Sequence, residues 1–206
     1  AAERRRPEQG RLMDALGHTP GVTGAAFASQ LPAGVCGGTP IYLEGRPPDA
    51  PAQRVCPVRA TPDFFSTLRI PLRSGRLLNE SDSRQGDALA VVINEAAVRA
   101  YWAERNPIGT SVRLSVPGNK PVEVVGVVGD VRNSGLNRPA APEVYATTTG
   151  FNPMNVVVRS DLPADQLIAA ARSTIRQADP TLVVENVRTI HDIVLNNLQL
   201  ERLSSL

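Results

Sequence analysis

Apolar residues recur at helical spacing in several parts of the chain. In the clearest case, over residues 165–178, Leu167, Ile168, Ala171 and Ile175 lie on one side of an amphipathic helix. Leu12, Met13 and Leu16 mark the apolar side of a helix at the start of the chain. The predicted helices are 7–16, 61–68 with Thr61 as N-cap, 95–102 with Asn94 as N-cap, 165–178, and 189–200 with Thr189 as cap.

Short apolar or alternating runs predict the strands between these helices. They are 22–31, 41–43, 88–93, 111–116, 122–128, 143–146, 156–159 and 182–187. A Pro-Gly turn between 111–116 and 122–128 predicts a hairpin. Residues 33–57, rich in Gly and Pro, are predicted to form a long connection that holds only the short strand 41–43.

Strand, helix and strand follow each other over residues 156–187, which is the order of a βαβ or split-βαβ unit. The first helix and the strand 22–31 have the order of a second half-unit. We expect its opening strand to lie before residue 1.

Composition narrows the classes of function. Of the 206 residues, 42% are hydrophobic and 20% are charged, as in ordinary globular proteins. The net charge is +2, and the one basic run, residues 4–6, lies beside Glu3 and Glu8. A nucleic-acid footprint needs clustered Lys and Arg, so we expect no nucleic-acid partner. No stretch reaches the roughly 18 consecutive apolar residues of a membrane-spanning helix, and the start lacks a signal-peptide pattern.

The residue types used in catalysis and metal binding are few and scattered. Cys36 and Cys56 are compatible either with one disulfide or with two buried thiols, and both readings stay open. His18 and His191 lack zinc-ligand spacing, so no metal or cofactor is expected. The candidate nucleophiles, Ser66, Ser134, Cys36 and Cys56, lack a nucleophile-elbow motif. No catalytic, cofactor-binding or metal-binding residue is therefore assigned, and the chain is not predicted to be an enzyme.

Three further features have a functional and a structural interpretation. Gly126, Gly129 and Asp130 suggest a phosphate loop, but their spacing favours a strand bend or bulge. Asp130 and Glu143 could serve as acid and base, but their positions favour turn and loop roles. Tyr101 and Trp102 end a helix and could contact a partner, but core packing is favoured.

The order of three motifs resembles MacB-like periplasmic core domains of FtsX/MacB-type ABC transporter permeases. Residues 61–76 are similar to the family's aromatic stretch that ends in Gly-Arg, although Arg69 stands where a glycine-like residue is common. Residues 91–109 resemble its Val-Ile-Asn-Glu motif with the later Pro-Ile-Gly, and residues 122–132 with 142–145 complete the match.

The resemblance implies an α+β fold with two subdomains. Residues 1–60 and 147–206, from both chain ends, would form a porter-like split-βαβ subdomain, and residues 61–146 an inserted mixed α/β subdomain.

It also implies a place and a role. The domain would lie between two membrane helices of its permease, on the periplasmic or extracytoplasmic face of the bacterial inner membrane. It would transmit motion driven by a cytoplasmic ATPase to a periplasmic adaptor or to exported cargo, in a dimeric permease. A ligand-binding or sensing module, with a deep pocket between the subdomains, is the alternative. A secreted hydrolase would need Ser66, Cys36 or Cys56 beside a histidine.

Overall fold

Six strands of the computed structural model pair in a closed ring, two more extend the sheet from one side of it, and a ninth strand pairs with one strand of the ring. The structure describes residues 2–31, 36–45, 51–84, 87–103, 105–114, 120–131, 139–147 and 155–203. The helices are α1 (Ala2–Gly17), α2 (Phe64–Leu68), α3 (Glu95–Ala97), α4 (Ala164–Ala178) and α5 (Ile190–Leu203), with a 3-10 turn at Glu80–Asp82 and a π-helical turn at Val98–Trp102. The strands are β1 (Val22–Ala28), β2 (Thr39–Leu43), β3 (Gln53–Ala60), β4 (Leu72–Gly75), β5 (Ser83–Arg84), β6 (Asp87–Ala88), β7 (Ala90–Asn94), β8 (Ser111–Leu114), β9 (Val122–Val128), β10 (Glu143–Thr147) and β11 (Asn155–Ser160).

The ring follows the order β3, β10, β7, β9, β8 and β2, and β2 pairs with β3 to close it. The pairs β3–β10 and β7–β9 are parallel, and the other four are antiparallel. All six strands contribute to one buried cluster, which therefore fills the ring: Ile41, Val55, Val91, Ile93, Val112, Val124, Val127 and Val144, with Ala97 and Trp102 from the turns after β7. This interior accounts for the apolar runs of β7 and β9.

The second core cluster lies outside the ring. Phe64 and Phe65 of α2 pack against Tyr145 of β10, and Ala26 and Ala28 of β1 belong to the same cluster. Residues of β7 and β10 thus alternate between two apolar surroundings, and all five residues of β7 are buried. A strand covered on both faces reads as a continuous apolar run, as residues 90–93 do.

The third cluster belongs to a part that we call the helical half: β1, β11, α1 and α4. Strands β1 and β11 pair antiparallel, and α1 packs against both β1 and α4. Leu12 and Leu16 of α1, Ala25 and Phe27 of β1, and Ile175 of α4 form the cluster. The predicted amphipathic faces of both helices are therefore the faces that are buried.

Much of the predicted secondary structure is confirmed, including the α+β class. Strand β8 pairs antiparallel with β9, so the hairpin is confirmed, although residues 115–119 lie outside the described part of the chain. The Asn94 side chain accepts a hydrogen bond from the Ala97 amide, as an N-cap does. Thr189 and Asp192 accept hydrogen bonds from each other's amides at the start of α5, so the predicted cap is also correct.

Two predictions at the element level are wrong. Residues 182–187 form no strand; among the described residues no strand pairs with them, and Asn186 has φ +53°. Thr61 does not cap α2, which begins at Phe64 after Asp63. The Thr61 hydroxyl accepts a hydrogen bond from the Phe27 amide instead, because the chain passes β1 at this point.

Strands β3 and β4 were missed, and so was the two-residue pair of β5 and β6. Strand β3 begins within the predicted long connection and contains Pro57, which lacks an amide donor. The pairing with β2 ends at Val55 and that with β1 is at Ala60, so Pro57 lies where neither of these neighbours needs its amide. Strand β4 is short and exposed, and it carries no apolar alternation that could have indicated it.

The division into residues 1–60 with 147–206 and residues 61–146 stays a prediction. Hydrogen-bonded pairs cross its boundary, since β2 pairs with β8 and β3 with β10.

The end of α2 generates a first prediction. Arg69 has φ +55° and ψ +38°, the left-handed conformation in which glycine is favoured. This conformation explains why the family's motif commonly has a glycine-like residue at that position. We expect Arg69→Gly to raise the free energy of unfolding by about 1 kcal/mol, because glycine has no Cβ to clash with the backbone in the left-handed conformation. Arg69→Ala is the control and should give no gain; equal gains in urea unfolding would contradict the explanation.

A buried carboxylate generates a second prediction. Asp82 accepts two hydrogen bonds of 2.7 Å from the Arg76 guanidinium and one of 2.8 Å from the Asn79 amide. The hydrogen bonds from Arg76 hold the pKa of Asp82 below its ordinary value. A lowered folded-state pKa stabilises the fold above the unfolded-state pKa, and this contribution is lost as pH falls through the folded-state pKa.

We therefore expect Asp82→Asn to lower stability by roughly 1–2 kcal/mol at neutral pH, since Arg76 is half exposed and partly screened. The loss should shrink as the pH falls below about 4. Glu80→Gln, an exposed carboxylate in the same turn, is the matched control. Thermal unfolding of the three proteins between about pH 2 and pH 7 tests this, because the range spans the titration of an Asp and extends to neutral pH. Curves of stability against pH that run parallel for the three proteins would contradict it.

Candidate functional site

Ser66 and His18 form hydrogen bonds with backbone carbonyl oxygens and not with each other. The Ser66 hydroxyl donates to the Asp63 carbonyl oxygen at 2.9 Å, and His18 Nδ1 lies 2.6 Å from the Asp14 carbonyl oxygen at the end of α1. His191 is exposed on α5. Ser134 lies outside the described residues. The described side chains therefore do not form the serine–histidine pair that a hydrolase would need.

The two cysteines form a disulfide between the segment before β2 and strand β3, which decides between the two readings that the sequence left open. The Arg54 guanidinium adds hydrogen bonds of 2.8 and 2.6 Å to the Gly37 and Gly38 carbonyl oxygens, so the same segment is held twice. Among the described residues no group of three or more His, Cys, Asp or Glu side chains is placed to hold a metal ion.

The glycine-containing stretch is a bulge, as favoured. Strand β9 has one extra residue opposite β7, because Val91 pairs with Val124 and Val92 with Gly126. A Cβ on Gly126 would lie 2.1 Å from the Arg76 carbonyl oxygen, so glycine is required where the chain after β4 crosses β9. The bulge also turns both Val124 and Val127 into the ring.

The aromatic pair is used for packing. Trp102 is buried inside the ring, and its indole N–H donates to the Thr110 hydroxyl at 3.2 Å. The Tyr101 hydroxyl donates to the Arg54 carbonyl oxygen at 2.5 Å. Core packing is therefore confirmed for Trp102, and Tyr101 ties the turn after α3 to β3.

Asp130 and Glu143 each form a hydrogen bond with a residue at the start of α3, which the sequence did not indicate. Asp130 accepts a hydrogen bond of 2.7 Å from the Ala96 amide and pairs with Arg99, so it is a turn residue that caps α3. Glu143 is not a loop residue: it is fully buried at the start of β10 and accepts a hydrogen bond from the Tyr145 hydroxyl. Burial, together with the charge of Glu143, raises the pKa of Tyr145 well above its ordinary value.

Asn94 joins these groups. Its side-chain oxygen accepts hydrogen bonds from the Ala97 amide at 3.0 Å and the Glu143 amide at 2.9 Å, and its amide nitrogen donates to the Ala141 carbonyl oxygen at 2.8 Å. Asn94 belongs to one motif of the resemblance, and Asp130 and Glu143 belong to another. The two motifs thus meet at the buried side chain of Asn94. Their polar atoms hold the start of α3 against the start of β10, which is a structural use.

The contact between the ring and the helical half is the feature with mechanical consequences, and we call it the joint. At one end, the Thr61 amide donates to the Phe27 carbonyl oxygen at 3.0 Å, and the Ser29 amide to the Arg59 carbonyl oxygen at 2.8 Å. Ala28 pairs with Ala60 between them. These bonds join β1 directly to the end of β3.

At its other end, the joint seats α2 on a cross-strand pair. Gly24 of β1 pairs with Arg159 of β11, and Thr67 of α2 lies over both. The Arg159 Nε–H donates to the Thr67 carbonyl oxygen, and a Cβ on Gly24 would lie 3.1 Å from Thr67 Oγ1. A side chain at this position would press against Thr67, so glycine favours the close approach of α2 to β1. The sequence carried one signal of this contact, a glycine within a predicted strand.

Comparison with known proteins supplies the family. A model of the MacB-like periplasmic core domain matches residues 9–182. Over 73 residues, 35% of this chain, the sequence is 36% identical to the macrolide export ATP-binding/permease protein MacB of Aggregatibacter actinomycetemcomitans. That match spans only 11% of the MacB protein.

Solved structures agree with the fold. The extracellular domain of the noncanonic ABC-type transporter YknZ from Gram-positive bacteria is similar with a TM-score of 0.55, at 16% identity, covering 83% of each chain. The periplasmic region of MacB from Actinobacillus actinomycetemcomitans gives a TM-score of 0.51, at 17% identity, covering 81% of this chain and 72% of the other. No helix among the described residues is long and apolar enough to span a membrane. The chain belongs to the MacB-like periplasmic core domain family, and it is the periplasmic domain of an ABC transporter permease.

Proposed function

We propose that this domain is a rigid lever without catalysis of its own. ATP hydrolysis by the cytoplasmic ATPase of the transporter moves the permease's membrane helices, and these move the domain. The domain passes the motion to a periplasmic adaptor or to the exported cargo. In this proposal the permease is dimeric, the helical half is the membrane-proximal arm, and the ring is the other arm.

The observation that carries the proposal is the joint. A lever transmits force only if its two arms keep their relative orientation. Backbone hydrogen bonds at Phe27 and Ser29 fix one end of the joint, and the seat of Thr67 on Gly24 and Arg159 fixes the other. Two separated points of attachment resist rotation, whereas a single point would act as a hinge.

Apolar packing between the two points supports the same reading. Phe65 is almost fully buried between β1 and Tyr145, and the ring centroids of Phe65 and Tyr145 are 5.1 Å apart. A buried aromatic residue of this kind contributes about 3–5 kcal/mol. Opening the joint would expose it, so bending carries a high free-energy cost.

Cooperativity of unfolding is the first test. Trp102, the single tryptophan, reports on the ring, and far-UV circular dichroism reports mainly on the long helices, of which α1 and α4 belong to the other half. We expect the two signals to change together during urea unfolding, because both halves share one core cluster. Phe65→Ala should lower stability by about 3–5 kcal/mol and separate the two transitions.

Val112→Ala is the matched control, since Val112 is buried inside the ring and away from the joint. It should lower stability but leave the two transitions coincident. Separate transitions already present in the unaltered protein would overturn the lever.

The function itself is tested in the complete transporter. Spin labels on Asp165→Cys of α4 and Glu123→Cys of β9, both exposed, span the joint, and the native cysteines are unreactive in their disulfide. We expect the distance between these labels to stay the same with and without ATP, while the distance between the domain and the cytoplasmic ATPase changes. A change between the two labels of the domain would show that the joint bends and would contradict the proposal.

A further inference from the structure

We infer that the disulfide between Cys36 and Cys56 is a site of reversible thiol–disulfide exchange, and that a dithiol is its reductant. The dithiol attacks the sulfur of Cys36, and Cys56 is the sulfur that leaves. The disulfide lies on the ring and not at the joint, so this inference does not depend on the proposed lever.

The two sulfurs differ in access. Cys56 lies within β3 and is 7% exposed, whereas Cys36 lies in the segment before β2 and is half-buried. A thiolate attacks a disulfide only at a sulfur that it can reach. Cys36 is therefore the sulfur that an external thiol attacks, and the bond breaks with Cys56 as the leaving group.

The surroundings of Cys36 stabilise a negative charge on its sulfur. The Gly38 amide donates a hydrogen bond to Cys36 Sγ at 3.3 Å. The Arg54 guanidinium donates to the carbonyl oxygens of Gly37 and Gly38, so a cation lies against the same three residues. Among the described residues no carboxylate forms an ion pair with Arg54, so no neighbour neutralises its charge. A hydrogen-bond donor and a nearby cation are the features that favour a thiolate.

The surroundings of Cys56 have the opposite effect. Cys56 of β3 is the register partner of Glu143 of β10, and both residues are buried. Burial and a carboxylate on the neighbouring strand both disfavour a further negative charge at this place. After reduction, Cys56 is therefore a neutral thiol and Cys36 is a thiolate. Exchange needs such an unequal pair, because one sulfur reacts with the external partner and the other closes the bond again.

A dithiol is the only co-reactant that the exchange requires. One thiol of the dithiol loses its proton to water and attacks Cys36 Sγ, which forms a mixed disulfide. The electron pair of the broken bond goes to Cys56 Sγ, which takes up a proton. The second thiol of the dithiol then loses its proton, attacks the reagent's other sulfur and releases Cys36 as a thiolate. The dithiol is oxidised to a disulfide by two electrons, the protein is reduced by two electrons, and one proton remains in the water.

The fold holds the two cysteines close together without the covalent bond. Arg54 keeps residues 36–38 against β3 through its two hydrogen bonds, and β2, which follows them directly, pairs with β3. On the other side of β3 the Cys56 amide donates to the Pro142 carbonyl oxygen at 2.8 Å. Reduction thus removes the covalent part of the ring closure between β2 and β3 and leaves the hydrogen-bonded part, so the disulfide can form again.

Thiol trapping on the folded 206-residue chain tests the inference. The chain is treated with dithiothreitol at neutral pH without denaturant, and free thiols are alkylated with iodoacetamide and located by mass spectrometry. We expect both cysteines to be reduced while the fluorescence of Trp102 stays that of the folded protein. Cys36 should react with iodoacetamide about tenfold faster than Cys56, because an accessible thiolate reacts faster than a buried thiol. Oxidised glutathione should then restore the disulfide.

Three variants separate the role of Arg54 from that of surface charge in general. Arg54→Gln removes the cation but keeps a hydrogen-bond donor, and we expect alkylation of Cys36 to slow about fivefold, because less thiolate is present. Arg54→Lys keeps the cation and should stay within about twofold of the unaltered protein. Arg113→Gln is the matched control, since Arg113 is an exposed arginine of β8, two strands away in the ring. It should leave the rate unchanged.

Reduction that occurs only in denaturant, or no faster than the whole chain unfolds, would show a purely structural disulfide and overturn the inference. Equal alkylation rates of the two cysteines would overturn it too, and so would an equal loss of rate in Arg54→Gln and Arg113→Gln. Thiol trapping reports on the disulfide and the spin labels report on bending, so either proposal can fail while the other stands.

Discussion

The contact of α2 with Tyr145 and β1 is the interaction on which the rest of the architecture depends. The rings of Phe64 and Phe65 meet the ring of Tyr145 at centroid distances of 6.1 and 5.1 Å, and the small side chains of Ala26 and Ala28 complete the cluster. Without this cluster the helical half would be attached to the ring by a few backbone hydrogen bonds. The five-residue helix α2 could not form alone, because so short a helix is unstable without tertiary packing.

Burying Tyr145 has a polar consequence that spreads through the ring. Its hydroxyl needs a partner, and Glu143 on the same face of β10 provides one. The amide of Glu143 is in turn held by Asn94, which also caps α3. These residues lie in the stretches that resemble the family's motifs, so those stretches are explained by the fold they build. No reaction is needed to account for them.

The disulfide fits the location that the family implies. Cys36 and Cys56 enclose the segment that leads into β2, and such bonds persist in oxidising compartments such as the periplasm. Here it secures a Gly- and Pro-rich segment that has little apolar surface of its own. The ring is thus closed by strand pairing and reinforced covalently where its sequence is least able to pack.

The local pattern of the sequence was enough to predict the elements that depend on residues close together in the chain. The α1 and α4 faces, the hairpin of β8 and β9, and the Asn94 and Thr189 caps follow from periodicity, turn residues and capping chemistry, which act over a few neighbouring positions. The order of the motifs was enough to identify the family and its place in a permease.

Only the tertiary structure decided the ring, the joint and the role of each polar residue. Strand β3 forms despite Pro57 because β10 lies beside it, Thr61 leaves its predicted cap because β1 passes nearby, and Glu143 is buried because Tyr145 is. Residues 182–187 have the composition of a strand but no neighbour among the described residues. The physical reason is common to all four: strand pairing and burial depend on partners far away in sequence, and periodicity carries no information about which partners meet.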